Sequence, residues 1–134
     1  MPKINVQWQG GWRFDGHDSR GMPVDIDGTQ QLGVKPSDLL PIALAACSAT
    51  DLVIQFNELG AEVASLRVEA SYSQQPEAPW TFQRVRLHYE VVAGGLTEED
   101  VAEAIRRSEH ELCSVASSVR PTVAIESTFE LRGE

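Results

Sequence analysis

With 134 residues, 42% of them apolar, the chain is long enough to bury one packed core and predicts a single domain over residues 1–134. A net charge of −9 disfavours nucleic acid and anionic membrane surfaces as partners, because both would repel it. Two cysteines are too few for the disulfide framework of a small secreted protein. We also expect no apolar run of membrane-spanning length, and therefore predict a cytoplasmic protein.

The N-terminal part of the chain predicts short strands. Residues 3–15 alternate apolar and polar side chains on either side of Gly10-Gly11, which indicates a hairpin with a tight turn. Residues 24–26 predict a third strand. Residues 28–35 have no apolar periodicity and predict an exposed crossing to the next element.

Residues 36–59 carry a helical pattern. Pro36 suits the first turn, the regular helix is expected to begin near Pro41, and Gly60 ends it. Apolar side chains surround the helix axis almost completely, which predicts burial on most sides. Because one sheet of this size cannot cover such a helix, we expect a second copy of the chain to share it.

The C-terminal half predicts two long strands, a helix and a last strand. Residues 64–72 and 85–91 each alternate between an apolar and a polar face, which is typical of antiparallel pairing. A helix is expected to begin at Thr97, with acidic residues in its first turn, and residues 123–131 predict the final strand. The order βββ-α-ββ-α-β predicts an α+β fold.

Cys47 and Cys113 are the candidate reactive residues. Each is followed by a serine and lies in or beside a predicted helix. A cysteine in an apolar helix is often only a small core residue, and that interpretation stays open for both. Two such cysteines in one small domain also fit a redox pair, since a thiolate is both a nucleophile and a disulfide partner.

Two motifs resemble the OsmC/Ohr superfamily. The first is Lys35-Pro36-Ser37-Asp38-Leu39-Leu40 followed by the small-residue segment 43–49 around Cys47, and the second is Leu112-Cys113-Ser114-Val115. The segment Cys47–Asp51 is most similar to the YhfA-like subgroup. The resemblance implies an OsmC-like fold, in which an antiparallel six-stranded sheet, or sheets, wraps around a long apolar central helix in an intertwined homodimer.

The same resemblance implies a thiol-dependent peroxidase that reduces organic hydroperoxides and protects against oxidative or osmotic stress. The first cysteine would attack the peroxide and the second would resolve the sulfenic acid as a disulfide. A dithiol reductant, for example a lipoylated protein, would recycle the pair, and no metal or organic cofactor is implied. The alternative is a non-catalytic dimer of the same fold that binds a small apolar ligand or senses redox state.

Other polar residues have candidate roles around Cys47. In the family, an arginine and a glutamate activate the first cysteine; by resemblance Arg13, or else Arg20, would be that arginine. Ser37 stands where the family has its glutamate, so Asp38 is the candidate acid. Asp51, one helical turn after Cys47, is interpreted as structural or as a partner for an arginine.

Two further residue types suggest no separate site. The three histidines have no metal-ligand spacing among themselves or with the cysteines, and no metal site is predicted. Trp8, Trp12, Trp80 and Phe82 are interpreted as core and interface anchors.

Overall fold

The computed structural model describes residues 1–133, which form two compact units, Met1–Leu40 and the chain from Pro41 onward. A 3-10 turn at Pro36–Asp38 precedes the long helix, and a π-helical turn at Ser108–Leu112 follows the second helix. The regular elements are β1 (Asn5–Trp8), β2 (Arg13–His17), β3 (Pro23–Asp27), α1 (Leu39–Glu58), β4 (Glu62–Gln74), β5 (Phe82–Gly94), α2 (Glu98–Arg107), α3 (Ser114–Val119) and β6 (Ala124–Arg132).

The first unit is a three-stranded antiparallel sheet in the order β1-β2-β3, as the N-terminal pattern predicts. Asp27 at the end of β3 organises the crossing that follows. Its buried carboxylate accepts hydrogen bonds from the Thr29 amide at 2.8 Å and hydroxyl at 2.7 Å, and from the Leu32 amide at 3.1 Å. The Thr29 bonds hold the pKa of Asp27 below its usual value. The buried carboxylate of Asp27 therefore fixes the backbone of the crossing.

Gly33 lets this crossing lie directly against β3. A Cβ at position 33 would stand 2.7 Å from the Asp25 carbonyl and 2.8 Å from the Ile26 amide nitrogen. Both obstacles are backbone atoms, which cannot rotate out of the way. The bridge between Ile26 and Val34 thus requires glycine at this position.

Helix α1 is buried along one face only. Leu44, Leu52 and Phe56 are fully buried and pack against the second sheet, whereas Ile42 and Ile54 are exposed to 49% and 52%. The prediction that α1 is buried on most sides is therefore wrong for the single chain. The helix begins close to the predicted point.

The segment Pro36–Glu58 is long and apolar enough, by length and composition alone, to cross a membrane. The sequence-based expectation that no segment reaches that length is therefore wrong. The inner face of α1 packs in the core of the second unit, so α1 is a core helix.

The second sheet has the order β4-β5-β6 and is mixed. β4 and β5 are antiparallel, as predicted, but β5 and β6 are parallel. The all-antiparallel prediction is therefore wrong for β6, and the described residues form two three-stranded sheets, one of them mixed. The reason is the connection between β5 and β6, which passes through α2 and α3 and returns the chain to the same end of the sheet. The six-stranded arrangement in a dimer stays a prediction. β5 lies in the middle and supplies much of the core, through Val85, Leu87, Tyr89, Val91 and Ala93.

Helix α2 begins at Glu98, one residue after the predicted start, and Thr97 is its N-cap. Thr97 accepts a hydrogen bond from the Asp100 amide, and the Asp100 carboxylate accepts one from the Thr97 amide, which is a complete capping box. The buried stripe of α2 consists of Val101, Ala104 and Ile105 and continues to Ser108. The sequence pattern extends this stripe to Leu112, but Leu112 is 45% exposed. The π-helical turn after α2 adds residues to one helical turn and so rotates Leu112 off the stripe.

The tryptophans do not anchor the core. Trp8, Trp12 and Trp80 are all more than half exposed. Phe82 packs edge-to-face with Tyr72, with ring centroids 5.1 Å apart. The interpretation of the tryptophans as core residues is therefore wrong, and their role at an interface stays a prediction.

The Gly33→Ala substitution is expected to lower the free energy of unfolding by about 1–3 kcal/mol, because the backbone of β3 must move to admit the methyl group. Chemical denaturation followed by circular dichroism measures this loss. Gly94→Ala is the matched control, since a Cβ there meets no atom within 4 Å. Equal stability of the two variants would contradict the close approach at Gly33.

Candidate functional site

The second unit brings the two cysteines together. Cys47 lies on α1 and is half-buried, whereas Cys113 is 2% exposed and caps the N-terminus of α3. Their Sγ atoms and a carboxylate oxygen of Asp51 all lie within 4.8 Å of one another. Both cysteines are free thiols. The two thiols are therefore neighbours, as a redox pair requires, and their joint role as a reactive site and their disulfide stay predictions.

The π-helical turn sets the position of Cys113. The Cys113 amide donates to the Ser108 carbonyl at 2.7 Å, which closes this turn. Cys113 then has an extended backbone, with φ −78° and ψ 114°, and its Sγ accepts a hydrogen bond from the Ala116 amide at 3.3 Å. The thiol is thereby directed inward, toward Cys47.

Burial keeps Cys113 protonated at neutral pH. Loss of solvent is the main cause that raises the pKa of the Cys113 thiol to about 11, and the hydrogen bond to Cys47 adds to it. The hydrogen bond from the Ala116 amide acts in the opposite direction but is smaller than the effect of burial. Cys113 is therefore a poor nucleophile in the resting protein.

Asp51 is held by a hydroxyl group. Ser108 Oγ lies 2.8 Å from Asp51 Oδ2 and 3.0 Å from Ser48 Oγ. Among the described residues, no ion pair joins Asp51 to an arginine, so the structural alternative describes Asp51 better than the arginine-partner alternative. Because Ser48 follows Cys47 directly, these contacts fix α1 to the π-helical turn beside both thiols.

A buried tyrosine and glutamate extend this polar cluster. Tyr89 Oη lies 2.6 Å from Ser48 Oγ and 3.5 Å from Glu109 Oε1, and Ser127 donates a hydrogen bond to the same Glu109 oxygen. Arg120 donates to the backbone carbonyl of Glu109. Burial is the main cause that raises the pKa values of both Tyr89 and Glu109, so both are in their neutral forms more readily than usual.

The sequence interpretation missed most of this cluster. Ser48 and Ser108 look like ordinary helix residues, and the alternation of residues 85–91 places Tyr89 simply on the apolar face of its strand. One signal was available, because Ser108 stands on the apolar stripe of α2, and a buried hydroxyl there requires a hydrogen-bond partner. The identity of that partner depends on contacts between residues 60 positions apart in the chain.

Arg13, Arg20 and Asp38 belong to the first unit. Arg13 begins β2 and is exposed, and Arg20 lies in the exposed turn after β2, where its amide donates to Asp18 Oδ1 at 2.8 Å. Asp38 ends the 3-10 turn before α1. The proposed roles of these three residues toward Cys47 stay predictions.

Within residues 1–133, two groups of side chains have donor atoms close enough to hold a metal ion. One is Cys47, Asp51 and Cys113, and the other is His88, Glu90 and Glu130 on an exposed face of the second sheet. The first set contains thiolate and carboxylate donors, which zinc accepts. Spacing in the sequence misses the second set because its members come from two adjacent strands.

The raised pKa of Cys113 makes a testable prediction for its reactivity. In the Cys47→Ser variant, the rate of Cys113 alkylation by iodoacetamide should be low at pH 7 and rise about tenfold per pH unit toward pH 11, because only the thiolate reacts. Burial, the main cause of the shift, persists in this variant. The unfolded variant is the control, and its alkylation rate should stop rising about two pH units lower. If the alkylation rate of the folded protein also stops rising near pH 8.5, the raised pKa of Cys113 is contradicted.

Comparison with known proteins agrees with this architecture. Residues 28–128 match the family model described as OsmC-like protein. The chain is 28% identical over 130 residues to Protein YhfA of Escherichia coli strain K12, which covers 96% of this chain and 97% of YhfA.

Solved structures show the same fold. The OsmC-like protein from Mycoplasma pneumoniae superposes with a TM-score of 0.84 at 14% identity, covering 98% of this chain and 97% of that chain. The organic hydroperoxide resistance protein OhrB of Bacillus subtilis superposes with a TM-score of 0.63 at 21% identity, covering 96% of each chain. The family model matches well over half of this chain, and the chain therefore belongs to the OsmC-like protein family.

Proposed function

We propose that this protein is a thiol-dependent peroxidase that reduces organic hydroperoxides, with Cys47 as the attacking residue and Cys113 as the resolving residue. The observation that carries this function is the approach of the two Sγ atoms to within 4.8 Å. A disulfide bond of about 2.05 Å requires the two sulfur atoms to approach further, which the proposed function assigns to rotation of the two side chains. The hydroperoxide resistance named for the Bacillus subtilis structural relative supports the substrate class.

In the first step, the Cys47 thiolate attacks one peroxide oxygen and the O–O bond breaks. Cys47 becomes a sulfenic acid, and the alkoxide leaves as an alcohol after it gains a proton. Arg13 or Arg20 supplies the positive charge that stabilises the thiolate, and Asp38 orients that arginine. These three assignments are part of the proposed function.

In the second step, the Cys113 sulfur attacks the Cys47 sulfenic acid. The S–O bond breaks, the disulfide forms, and the hydroxide leaves as water with the proton of the Cys113 thiol. The buried, protonated Cys113 suits this order. It is a weak nucleophile, and it reacts when a strongly electrophilic sulfur, the Cys47 sulfenic acid, forms beside it.

In the third step, an external dithiol reduces the disulfide and restores both cysteines. A lipoylated protein is one such reductant. The cysteine pair gives two electrons to the peroxide and the dithiol returns two electrons to the pair, so the cycle needs no metal or organic cofactor. Such a cycle suits the reducing cytoplasm, which we propose as the location.

A homodimer is the proposed assembly. Ile42, Val53 and Ile54 are exposed on the outer face of α1, and the first unit exposes further apolar side chains at Ile4, Val6, Trp8 and Trp12. Exposed apolar surface of this extent favours association, and a second copy of the chain would bury it.

The proposed dimer predicts a solution mass of about twice 14.7 kDa, independent of protein concentration in the micromolar range. Light scattering coupled to size exclusion measures this mass. The Ile54→Glu variant should weaken the dimer if the outer face of α1 is the interface, because a charge would be buried there. A monomeric wild-type protein would contradict the assembly.

Cys47→Ser should abolish the consumption of organic hydroperoxide, because a serine hydroxyl is too weak an acid to replace a thiolate. Cys113→Ser should keep the first turnover and then stop, with Cys47 trapped as sulfenic or sulfinic acid. Stopped-flow mixing of reduced protein with cumene hydroperoxide measures the rate, and mass spectrometry identifies the oxidation state.

Hydrogen peroxide is the comparison substrate, and an organic hydroperoxide should react faster. Equal, slow consumption by the wild type and Cys47→Ser would contradict the peroxidase function. That outcome would favour the alternative, a non-catalytic protein of the OsmC fold that binds an apolar ligand or senses redox state.

A further inference from the structure

A continuous chain of hydrogen-bonding side chains connects the cysteine pair with a buried acid. It runs from Asp51 through Ser108, Ser48 and Tyr89 to Glu109, with successive oxygen–oxygen distances of 2.8, 3.0, 2.6 and 3.5 Å. The three hydroxyl residues in the middle are fully buried, and Glu109 is 8% exposed. No step of the proposed peroxidase cycle described above uses this chain.

The number of protons on the chain permits two arrangements. Each hydroxyl can donate only one hydrogen bond. If Asp51 is ionised, it accepts from Ser108, Ser108 accepts from Ser48, Ser48 accepts from Tyr89, and the protonated end is Glu109. If all these bonds reverse, Asp51 carries the proton and Glu109 is ionised. A single proton can thus be at either end of the chain.

Two physical effects select the end that holds the proton. Burial favours neutral Glu109 in the resting protein, and its other neighbours are Ser127, His110 and Arg120, whose effects are smaller. When Cys47 is a thiolate, its charge lies within 4.8 Å of the Asp51 carboxylate. The alkoxide that leaves when Cys47 attacks a hydroperoxide forms at this end of the chain, so its demand for a proton acts on Asp51.

We propose that Glu109 stores a proton, and that Tyr89, Ser48 and Ser108 pass it to Asp51, which delivers it to the alkoxide released when Cys47 attacks a hydroperoxide. This role rests on the proposed peroxidase function. Asp51 would replace a solvent molecule as the general acid at the half-buried site.

The step balances in atoms and charge. A hydroperoxide ROOH, the Cys47 thiolate and the Glu109 acid give the Cys47 sulfenic acid, the alcohol ROH and the Glu109 carboxylate. Formation of the disulfide leaves Glu109 ionised, because that step releases water without net proton uptake. When the external dithiol reduces the disulfide, Cys47 is released as a thiolate and the liberated proton returns along the chain to Glu109.

The relay predicts slower peroxide reduction in variants that break it. Glu109→Gln removes the stored proton and Tyr89→Phe interrupts the chain, so both should slow Cys47 oxidation by cumene hydroperoxide about 10²-fold at pH 7. Added imidazole buffer should restore part of the rate in both variants and leave the wild type unchanged, since a small acid can supply the proton that the broken chain no longer delivers to Asp51. A merely structural role would not respond to buffer.

Matched variants control for folding and charge. Glu111→Gln changes an exposed acid on the same π-helical turn and should leave the rate unchanged. Ser108→Ala interrupts the chain at another point and should reproduce the slow, buffer-restored rate if Tyr89→Phe fails to fold. A rate in folded Glu109→Gln and Ser108→Ala equal to that of the wild type would overturn the relay.

Infrared spectroscopy tests the stored proton without enzymatic activity. The reduced wild type at pH 7 should show the carbonyl stretch of a buried carboxylic acid, and Glu109→Gln should lose it. If this band is present but no hydroperoxide is consumed, the peroxidase function fails while the proton store stands. If wild type consumes hydroperoxide but lacks the band, Glu109 holds no proton and the relay fails.

Discussion

The geometry of the cysteine pair depends on one buried residue, Ser108. Its hydroxyl contacts Ser48 and Asp51 on α1, and its carbonyl accepts the amide hydrogen of Cys113. One residue therefore fixes the helix that carries the first cysteine and the turn that carries the second. Because the turn is π-helical, Cys113 enters α3 as its cap and directs its sulfur inward.

This polar cluster has an energetic cost that its hydrogen bonds offset. A hydroxyl moved from water into a core loses free energy unless it finds a partner, and a buried carboxyl loses more. Among the described residues, every fully buried side-chain nitrogen or oxygen has a partner. Apolar residues could fill the same space without that requirement, whereas the chain of hydroxyls permits one arrangement of α1 against the π-helical turn in which every partner is satisfied.

The sequence predicts the local elements well and the long-range arrangement less well. Alternation locates β4 and β5, and the acidic first turn locates the start of α2, because these signals are carried by neighbouring residues. The two cysteine motifs identify the family and the pair. The parallel direction of β6, the π-helical turn and the partners of Ser108 are set by contacts between distant segments, which leave no periodic pattern in the chain.

The unequal environments of the two thiols give the proposed chemistry its direction. Cys113 is buried and its pKa is raised to about 11, so it persists as a thiol, whereas the half-buried Cys47 is the more accessible of the two. In the proposed cycle an oxidant therefore meets Cys47 first, and Cys113 reacts only once a sulfenic acid forms beside it. The same burial that lowers the reactivity of Cys113 also favours the protonated form of Glu109. In the proposed cycle, one buried region of the core thus determines both the order of the thiol steps and the position of the proton that they require.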